Sequence, residues 1–296
     1  MNLSTFRKGG VHPPERKEYA NSKALVRPPI PSELVVSMSQ HLGAPAKPIK
    51  EKGDHVEKGE KIALASSFIS ADVHSPVSGT IKDIRKVTMA NSVTCDAFVI
   101  EPDPQQPKAF TKKVDYQDYS KEKLLEEIKD KGIVGLGGAT FPLHVKITIP
   151  AGRKVDALVI NGVECEPYLT ADHRLMLERT KEVLEGIMIC NRILNPARTI
   201  IGIEENKKDA ALALEKEIEL RSLPIEVCLL RMKYPQGDEK QLINATIGRE
   251  IPSGKLPLDV GAVVVNVGTT HAVYEALAYG KPLYERIVTV TGDCIA

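Results

Sequence analysis

The 296-residue sequence predicts an α/β protein in which a doubly wound, mostly parallel, Rossmann-like sheet follows a small all-β module. Two observations support this fold class. Residues 157–278 alternate short apolar runs with amphipathic helical patterns, which is typical of parallel strands joined by crossover helices. Residues 35–100 instead contain short apolar stretches separated by turn residues, which is typical of antiparallel β structure. At roughly 100–200 residues per domain, the length suggests two domains.

The N-terminal part is predicted to contain an arm followed by the all-β module. Residues 1–30 carry Gly-Gly and Pro-Pro pairs that interrupt any regular element, so we expect an extended arm lying on the body of the protein. Residues 31–103 are assigned to the all-β module because turn residues punctuate the whole stretch. The proline-rich run 103–107 is typical of a linker.

Residues 104–280 are predicted to form the α/β domain. A helix capped by Ser120 comes first and ends at Gly132. Four apolar strands follow, at residues 157–160, 199–203, 225–230 and 262–267. Helical patterns are found at about residues 174–194, 207–220, 239–245 and 271–278. The β-prone run 287–292 begins a further β element with no partner strand in view, so we expect the chain to be part of a longer protein.

Composition argues against several classes of protein. With 40 Lys and Arg against 39 Asp and Glu, and no basic run, a nucleic-acid partner is not expected. No apolar run approaches the roughly 20 residues of a membrane helix, and the N-terminus lacks an apolar signal core, so a cytoplasmic compartment is expected. The seven histidines lack metal-ligand spacing, and no metal is expected. No C-x-x-C pair is present, so we expect free, buried thiols at Cys95, Cys165, Cys190, Cys228 and Cys294.

Polar, glycine-containing segments follow three of the four strands. They are residues 161–167, 234–239 and 266–269. In an open α/β sheet, ligands bind beyond the carboxyl ends of the strands, where these segments should meet. The sequence therefore predicts a joint ligand site, although ordinary strand-to-helix turns could have similar compositions.

A glycine loop at residues 135–142, Gly-Leu-Gly-Gly-Ala-Thr-Phe-Pro, is a candidate phosphate site. Its glycines allow close backbone approach, and exposed N–H groups can bind an anion. A helix rather than a strand precedes the loop, and Thr140 replaces the third glycine of a dinucleotide fingerprint, so a simple turn is the alternative. Lys146 could supply the countercharge or be a solvated surface lysine.

Glu164 and Glu166 flank Cys165 and would share one face of an extended segment. Two like charges on one face are unfavourable unless a ligand or cation offsets them. A hydrolase is disfavoured because no nucleophile elbow, H-E-x-x-H motif or Ser/His/Asp arrangement accompanies the pair.

The glycine loop and the three polar segments occur in the order and approximate spacing of the flavin-bearing, NADH-binding subunit of respiratory complex I. With the N-terminal run 6–14, Phe-Arg-Lys-Gly-Gly-Val-His-Pro-Pro, the sequence resembles more closely the RnfC family of the Rnf electron-transport complex, over nearly its whole length. The all-β module resembles the barrel-sandwich hybrid of lipoyl and biotinyl carriers. Residues 66–72 contain no Lys where carriers present one, so the module is expected to be structural or docking. Residues 281–296 resemble the start of the family's β-grasp domain.

The resemblance implies a noncovalent FMN and NAD(H) as substrate, with hydride transfer on the flavin and no catalytic side chain. It implies FMN contacts from Gly135, Gly137, Gly138, Lys146, Asn161, Glu164, Gly237, Asp238, Asn266 and Thr269. It implies NADH contacts from Phe141, Glu166, Tyr234 and Glu239. Three positions depart from the family pattern, and of these Thr140 would be strained at a positive φ, while Val163 and Val265 each remove a polar contact. Two 4Fe-4S clusters are expected only in a C-terminal region that this sequence lacks.

The function that the resemblance implies is an NADH-oxidising, FMN-binding input component of an ion-translocating Rnf oxidoreductase. Such a protein would sit peripherally on the cytoplasmic face of the bacterial inner membrane. Its partners would be other Rnf proteins, including membrane-embedded ones. The alternative is a non-catalytic docking component of a respiratory complex, like the protein of similar architecture in the sodium-pumping NADH:quinone reductase.

Overall fold

The computed structural model describes residues 3–293 and 295, and its contacts divide the chain into two compact units. The β-rich unit contains residues 27–148 and 272–286. The α/β unit contains residues 1–26, 149–271 and 287–296. The domain boundaries expected from the sequence stay a prediction.

Seven strands form the antiparallel part of the β-rich unit, as the turn-rich sequence predicts. They are β1 (Leu34–Ser37), β2 (Lys47–Pro48), β3 (His55–Val56), β4 (Lys61–Leu64), β5 (Val73–His74), β6 (Gly79–Thr88) and β7 (Thr94–Pro102). One sheet has the order β1-β7-β6-β3 and the other has the order β2-β4-β5. Their shared core includes the fully buried Val56, Ile62, Ile81, Phe98 and Ile100.

The β-rich unit also contains helices α1 (Lys121–Asp130) and α2 (Leu143–Ile147). The predicted cap of α1 is confirmed, because the Ser120 hydroxyl accepts a hydrogen bond from the Lys123 N–H at 3.3 Å. Leu124 and Ile128, one helical turn apart, are both fully buried. The short helix α2 follows the glycine loop and has no counterpart among the elements predicted from the sequence.

The remaining elements of the α/β unit alternate strands with helices. They are β8 (Ala157–Asn161), α3 (Ala171–Glu178), α4 (Thr180–Leu194), β9 (Arg198–Glu204), α5 (Lys208–Arg221), β10 (Glu226–Leu230), α6 (Glu239–Ile247), β11 (Ala262–Asn266) and α7 (Val267–Tyr279). The sheet has the order β10-β9-β8-β11, and every pairing is parallel. The division between the two units falls inside α7, after His271.

Helices pack against this sheet, which explains why its strands are continuous apolar runs. Helix α4 contacts β8, and α5 contacts β9 and β10. Helix α6 contacts β8, β9 and β11 through Leu242 and Ile243, which pack with Val159 and Val264. The predicted parallel α/β sheet is confirmed, while the doubly wound description stays a prediction.

Three element boundaries differ from those predicted. The single helix expected at 174–194 is two helices, because Arg179 leaves the helical region with a φ of −135°. Helix α7 begins at Val267, directly after β11, where a loop is expected. Residues 287–291 belong to no strand of the described chain, because a strand forms only beside a neighbour that completes its hydrogen bonds. The β-grasp assignment stays a prediction.

The N-terminal arm covers the edge of the sheet at β10. Ser4 bridges Leu230 in parallel, and Val11 bridges Tyr234 in the antiparallel sense. Between these bridges, Phe6 is 1% exposed. The expectation of an arm lying on the body is met within the α/β unit, where the arm protects an otherwise open edge strand. No helix in the described part of the chain is long and apolar enough to span a membrane.

Candidate functional site

From β8 the chain adds β9 and then β10 on one side of the sheet, and it then returns to place β11 on the other side of β8. The order of the sheet therefore reverses between β8 and β11. Such a reversal opens a crevice at the carboxyl ends of the strands, where α/β proteins bind ligands. Asn161 ends β8, Asn266 ends β11, and the two residues are directly opposite in the pairing register. Both residues were predicted as FMN contacts from the sequence, and the fold places both at the reversal.

Asn161 connects two of the polar segments predicted to meet. Its Nδ2 donates to the carbonyl oxygen of Gly237 at 2.8 Å, and its Oδ1 accepts from the Val163 N–H at 3.1 Å. The expected proximity of segments 161–167 and 234–239 is therefore observed. Gly237 also approaches Cys165 closely, since its N–H donates to Sγ at 3.2 Å.

Asn266 connects the third polar segment to the first, at Asn161, and caps the start of α7. Its Oδ1 accepts from the N–H groups of Gly268 (2.8 Å) and Thr269 (3.3 Å), which is an N-cap. Its Nδ2 donates to Asp172 Oδ2 at 2.6 Å and to the Asn161 carbonyl at 3.4 Å. Thr269 itself is 1% exposed. Asp172 was not selected from the sequence, since nothing in its surroundings marks it as a partner of β11.

The acidic loop, residues 162–170, follows β8 and carries the two glutamates. Glu164 has a φ of +47° and is buried, and its carboxylate accepts from the N–H groups of Asp172 (2.9 Å) and His173 (3.3 Å). That carboxylate therefore caps the start of α3. Glu166 is exposed. The expectation of one shared face is wrong, because the left-handed Glu164 turns the chain between the two side chains.

Two buried lysines lie beneath the acidic loop. Lys17 Nζ and Lys207 Nζ both donate to backbone carbonyls of the loop, and the two lysines are 4% and 0% exposed as whole residues. Burial lowers the pKa of Lys207, and the nearby positive charge of Lys17 lowers it further. Neither lysine was predicted from the sequence, because lysine is almost never fully buried and neither lies in a motif.

The segment 234–239 between β10 and α6 presents one aromatic and several polar groups. Tyr234 is 40% exposed, and Asp238 is an N-cap whose Oδ1 accepts from Lys240 and Gln241 N–H groups. Glu239 is half-buried in the first turn of α6. Gln236 was missed, although it lies within the motif. Its Oε1 accepts from the Thr5 hydroxyl, while its fully buried Nε2 has no hydrogen-bond partner among residues 3–293 and 295.

A cavity of about 40 Å³ lies between the arm and the carboxyl ends of β9 and β10. Its lining includes His12, Glu15, Lys17, Cys165, Glu204 and Tyr234. Burial raises the pKa of Glu204 to about 7, although Lys207 Nζ lies 3.7 Å from its carboxylate. Burial also raises the pKa of Cys165 to about 11, so this thiol stays protonated and weakly nucleophilic at neutral pH.

The glycine loop belongs to the β-rich unit, together with Phe141 and Lys146. Its ends are joined by a hydrogen bond from the Gly135 N–H to the Phe141 carbonyl at 2.9 Å. Gly137 and Gly138 are exposed, and a Cβ placed on Gly138 would meet no atom within 4 Å. Phe141, near the end of the loop, is half-buried. The apex thus leaves open space next to accessible backbone, which is what close approach of a phosphate requires.

All three departures from the family pattern can be located in this geometry. Thr140 has a φ of +51°, the positive value at which a β-branched residue is expected to be strained, and its Oγ1 donates to the Ala139 carbonyl at 2.7 Å. Val163 and Val265 are 0% and 3% exposed, which places both in the core of the sheet. Lys146 lies on α2, directly after the loop.

The described cysteines and acidic groups form no cluster that could bind a metal. Cys95 and Cys190 are buried and Cys165 and Cys228 are half-buried, all four free, while Cys294 lies outside the described residues. Within residues 3–293 and 295, no group of three or more His, Cys, Asp or Glu side chains is placed to hold a metal ion.

Comparison with known proteins identifies the family. The model described as "Nuo51 FMN-binding domain" matches residues 128–275, and the one described as "RnfC Barrel sandwich hybrid domain" matches residues 5–105. The RnfC protein of the "Proton-translocating ferredoxin:NAD(+) oxidoreductase complex" of Clostridium ljungdahlii is 44% identical over 295 residues. The match covers 99% of this chain and 64% of that protein. The chain belongs to the RnfC family.

Other members of the family show the same relationship. The RnfC protein of the "Na(+)-translocating ferredoxin:NAD(+) oxidoreductase complex" of Acetobacterium woodii is 44% identical over 299 residues, covering all of this chain and 67% of that protein. The corresponding protein of the "Ion-translocating oxidoreductase complex" of Vibrio cholerae is 39% identical over 289 residues, or 37% of its length. The chain therefore spans about two thirds or less of these Rnf relatives. The expected barrel-sandwich hybrid and the resemblance to RnfC proteins are confirmed.

Proposed function

We propose that this chain binds FMN and NADH and is the electron-input part of an ion-translocating ferredoxin:NAD oxidoreductase complex. The observation that carries the proposal is the pair Asn161 and Asn266, which face each other where the sheet order reverses. This pair lies within the segment that matches an FMN-binding domain. Polar groups at such a reversal are typical of nucleotide sites in α/β proteins.

The residues present fit an FMN phosphate at the glycine loop. Gly138 offers space for close approach, and Gly137 and Gly138 are both exposed. We assign phosphate binding to Gly135, Gly137 and Gly138, with Lys146 supplying positive charge. We assign flavin contacts to Asn161, Glu164, Gly237, Asp238, Asn266 and Thr269. Of these, Glu164 and Thr269 are buried, and Glu164 acts on the flavin through the start of α3, which its carboxylate caps.

We assign NADH binding to Phe141, Glu166, Tyr234 and Glu239. Glu166 is exposed and Tyr234 is 40% exposed, so a carboxylate for ribose hydroxyls and an aromatic ring for stacking are both accessible. Bound FMN supplies the acceptor for the hydride of NADH. The side chains named here bind and orient the two nucleotides.

The proposed setting follows the names of the relatives. We place the chain at the cytoplasmic face of the inner membrane, held there by other proteins of the complex, including membrane-embedded ones. Transfer of single electrons onward is assigned to two 4Fe-4S clusters outside this chain. NADH oxidation and FMN binding are the parts of the proposal that the chain itself can test.

The test is an anaerobic titration of the purified chain with FMN, followed by flavin fluorescence, and then addition of NADH while the visible absorbance is recorded. Saturable FMN binding and loss of absorbance faster than with free FMN are the expected results. Absence of FMN binding by a folded sample would overturn the proposal and favour the docking role.

Variants locate the two ligands. Gly138→Trp is expected to abolish FMN binding, because a Cβ at this position meets no atom within 4 Å and the indole would fill the space that the phosphate needs. Ala151→Trp, on an exposed turn, is the matched control and should bind FMN normally. Glu166→Ala should weaken NADH binding while FMN binding is kept, and the exposed Glu250→Ala is its control. Normal binding of both ligands by Gly138→Trp and Glu166→Ala would show that the sites are elsewhere.

A further inference from the structure

Lys17 lies in the N-terminal arm, yet its side chain ends beneath the acidic loop. The residue is 4% exposed, and its Nζ donates to three backbone carbonyls. These are the carbonyls of Glu164 at 2.9 Å, Glu166 at 3.0 Å and Leu169 at 2.5 Å. An ammonium group has three donors, so every donor of Lys17 is used by this one loop.

The conformation of the acidic loop creates the need for such a group. Glu164 and Tyr168 have φ values of +47° and +70°, in the left-handed region that non-glycine residues seldom adopt. Residues 162–166 and 169–170 are in neither a helix nor a strand, so no neighbouring ladder satisfies their carbonyls. Buried carbonyls without a donor are costly, and convergent carbonyls of a strained loop suit a single ammonium with three donors.

The arm is itself held in place on the α/β unit, so Lys17 can fix the position of the acidic loop. Its bridges at Ser4 and Val11 attach it to the edge of the sheet. Close to Lys17, the Tyr168 N–H donates to the Glu15 carbonyl at 2.7 Å, so arm and loop are joined at a second point.

The second buried lysine does not replace the first. Lys207 Nζ donates to the carbonyls of Val163 at 2.7 Å and Glu164 at 3.4 Å, at the beginning of the loop. It also donates to Asn206 Oδ1 at 2.9 Å. Lys207 therefore holds the loop where it leaves β8, whereas Lys17 holds the part that carries Glu166.

We propose that Lys17 is a positioning residue for NADH, because it fixes the backbone that presents the exposed Glu166 carboxylate. The N-terminal arm is then part of the nucleotide site, although no arm residue is assigned a contact with NADH. This inference rests on the proposed function through the role given to Glu166. It assigns to Lys17 an effect on NADH and none on the FMN phosphate.

The test compares Lys17→Met with Lys23→Met in the full chain. Methionine keeps the apolar stem of Lys17 and removes all three donors, and Lys23 is an exposed lysine of the same arm. With ferricyanide as the electron acceptor, Lys17→Met should raise the KM for NADH about tenfold, since small displacements of binding groups have effects of this size. The kcat should change less than about twofold and the FMN affinity should be unchanged, because the arm holds a binding group and not the flavin.

Amide hydrogen exchange gives a readout that does not depend on NADH. The amides of residues 164–169 should exchange faster in Lys17→Met than in Lys23→Met, while those of β9 exchange alike. Lys17→Arg is the second variant, for the case in which the methionine variant does not fold. It keeps the buried charge, but its planar donors cannot converge on three carbonyls, so the rise in KM and the faster exchange are still expected.

Each outcome decides between specific claims. Unchanged exchange and unchanged KM in both Lys17 variants would overturn the inference and leave the proposed function intact. Faster exchange with unchanged KM would show that Lys17 holds the loop but that NADH does not use it, which also overturns the inference. Failure of the unmodified chain to bind NADH would overturn the proposed function and this inference together.

Discussion

Asn266 lies directly opposite Asn161 at the carboxyl ends of two parallel strands, and its Nδ2 points to the Asn161 carbonyl oxygen at 3.4 Å. The same amide group donates to the Asp172 carboxylate, while its oxygen caps α7. One short side chain therefore links β8, α3 and α7 at the reversal of the sheet. An amide suits this position because it carries a donor and an acceptor on adjacent atoms.

Asn266→Asp should destabilise the chain by about 1–3 kcal/mol, because a carboxylate keeps the helix cap but loses the donor and faces Asp172. The double variant Asn266→Asp/Asp172→Asn restores an amide beside a carboxylate and should recover most of the loss. Urea unfolding followed by circular dichroism measures both, since the chain has no Trp. Additive losses in the double variant would show that the two side chains do not interact.

Thr140→Gly should stabilise the chain by about 1 kcal/mol. Thr140 is β-branched at a φ of +51°, and such strain costs about 1–3 kcal/mol, of which roughly 0.5–1 is offset by the greater freedom of glycine when unfolded. Thr140→Ala, which keeps a Cβ at the same φ, is the matched control. Equal losses of stability in the glycine and alanine variants would mean that Thr140 is not strained.

The longer helices and the strands of the parallel sheet were predictable from the sequence, because burial gives them a pattern of apolar residues. The strands β8 and β11 are continuous apolar runs because helices cover the sheet, and α1 was marked by Ser120 and by Leu124 and Ile128 one turn apart. The break at Arg179 was not predictable, because the apolar spacing continues across it. What changes there is the backbone, since Arg179 has a φ of −135°, and periodicity does not record backbone dihedral angles.

The sequence predicted which residues belong to the candidate site better than it predicted the contacts between them. The polar segments after β8 and β10 meet as expected, through Asn161 and Gly237. The lysines that hold the acidic loop could not be found, since Lys17 and its acceptor Glu164 are 147 residues apart. Glu164 was selected as a ligand contact, but a carboxylate that caps a helix looks the same in sequence as one that binds a ligand.

Glu204→Gln should make the chain more stable at pH 8 and nearly as stable as the parent at pH 5. Burial raises the pKa of Glu204 from 4.5 to about 7, so the folded state holds a proton that the unfolded state releases. Stability is therefore lost as the pH rises from 4.5 to about 7, by about 3 kcal/mol if this group acted alone, and glutamine removes that loss. The pH dependence of urea unfolding measures it.

Glu226→Gln is the control for Glu204, because Arg198 lowers the pKa of Glu226 and the expected sign is opposite. The stability from Glu226 is present above its unfolded pKa and is lost as the pH falls. Relative to the parent, Glu226→Gln should therefore lose more stability at high pH than at low pH. A loss of stability at pH 8 in Glu204→Gln would show that pairing with Lys207 outweighs the cost of burying the carboxylate.

His74→Gln should make the stability of the β-rich unit less sensitive to acid. His74 is 5% exposed, its Nδ1 has no hydrogen-bond partner among the described residues, and burial lowers its pKa from 6.5 to about 4, helped by the charge of Lys61. The unfolded state gains a proton below pH 6.5 that the folded state refuses until about pH 4. Stability is therefore lost as the pH falls through this range, by about 3 kcal/mol at most, and the glutamine variant should show a flatter profile.

His55→Gln is the matched control in the same unit, because a hydrogen bond from its ring to Asp103 raises the pKa of His55. The stability that this hydrogen bond contributes is present below the pKa that His55 has in the unfolded chain, and it is lost as the pH rises. The two histidine variants should therefore change the pH profile in opposite directions. If His74→Gln unfolds in acid as the parent does, the buried imidazole is not the group that makes the β-rich unit acid-sensitive, and the carboxylates paired with Lys61 become the cause to test.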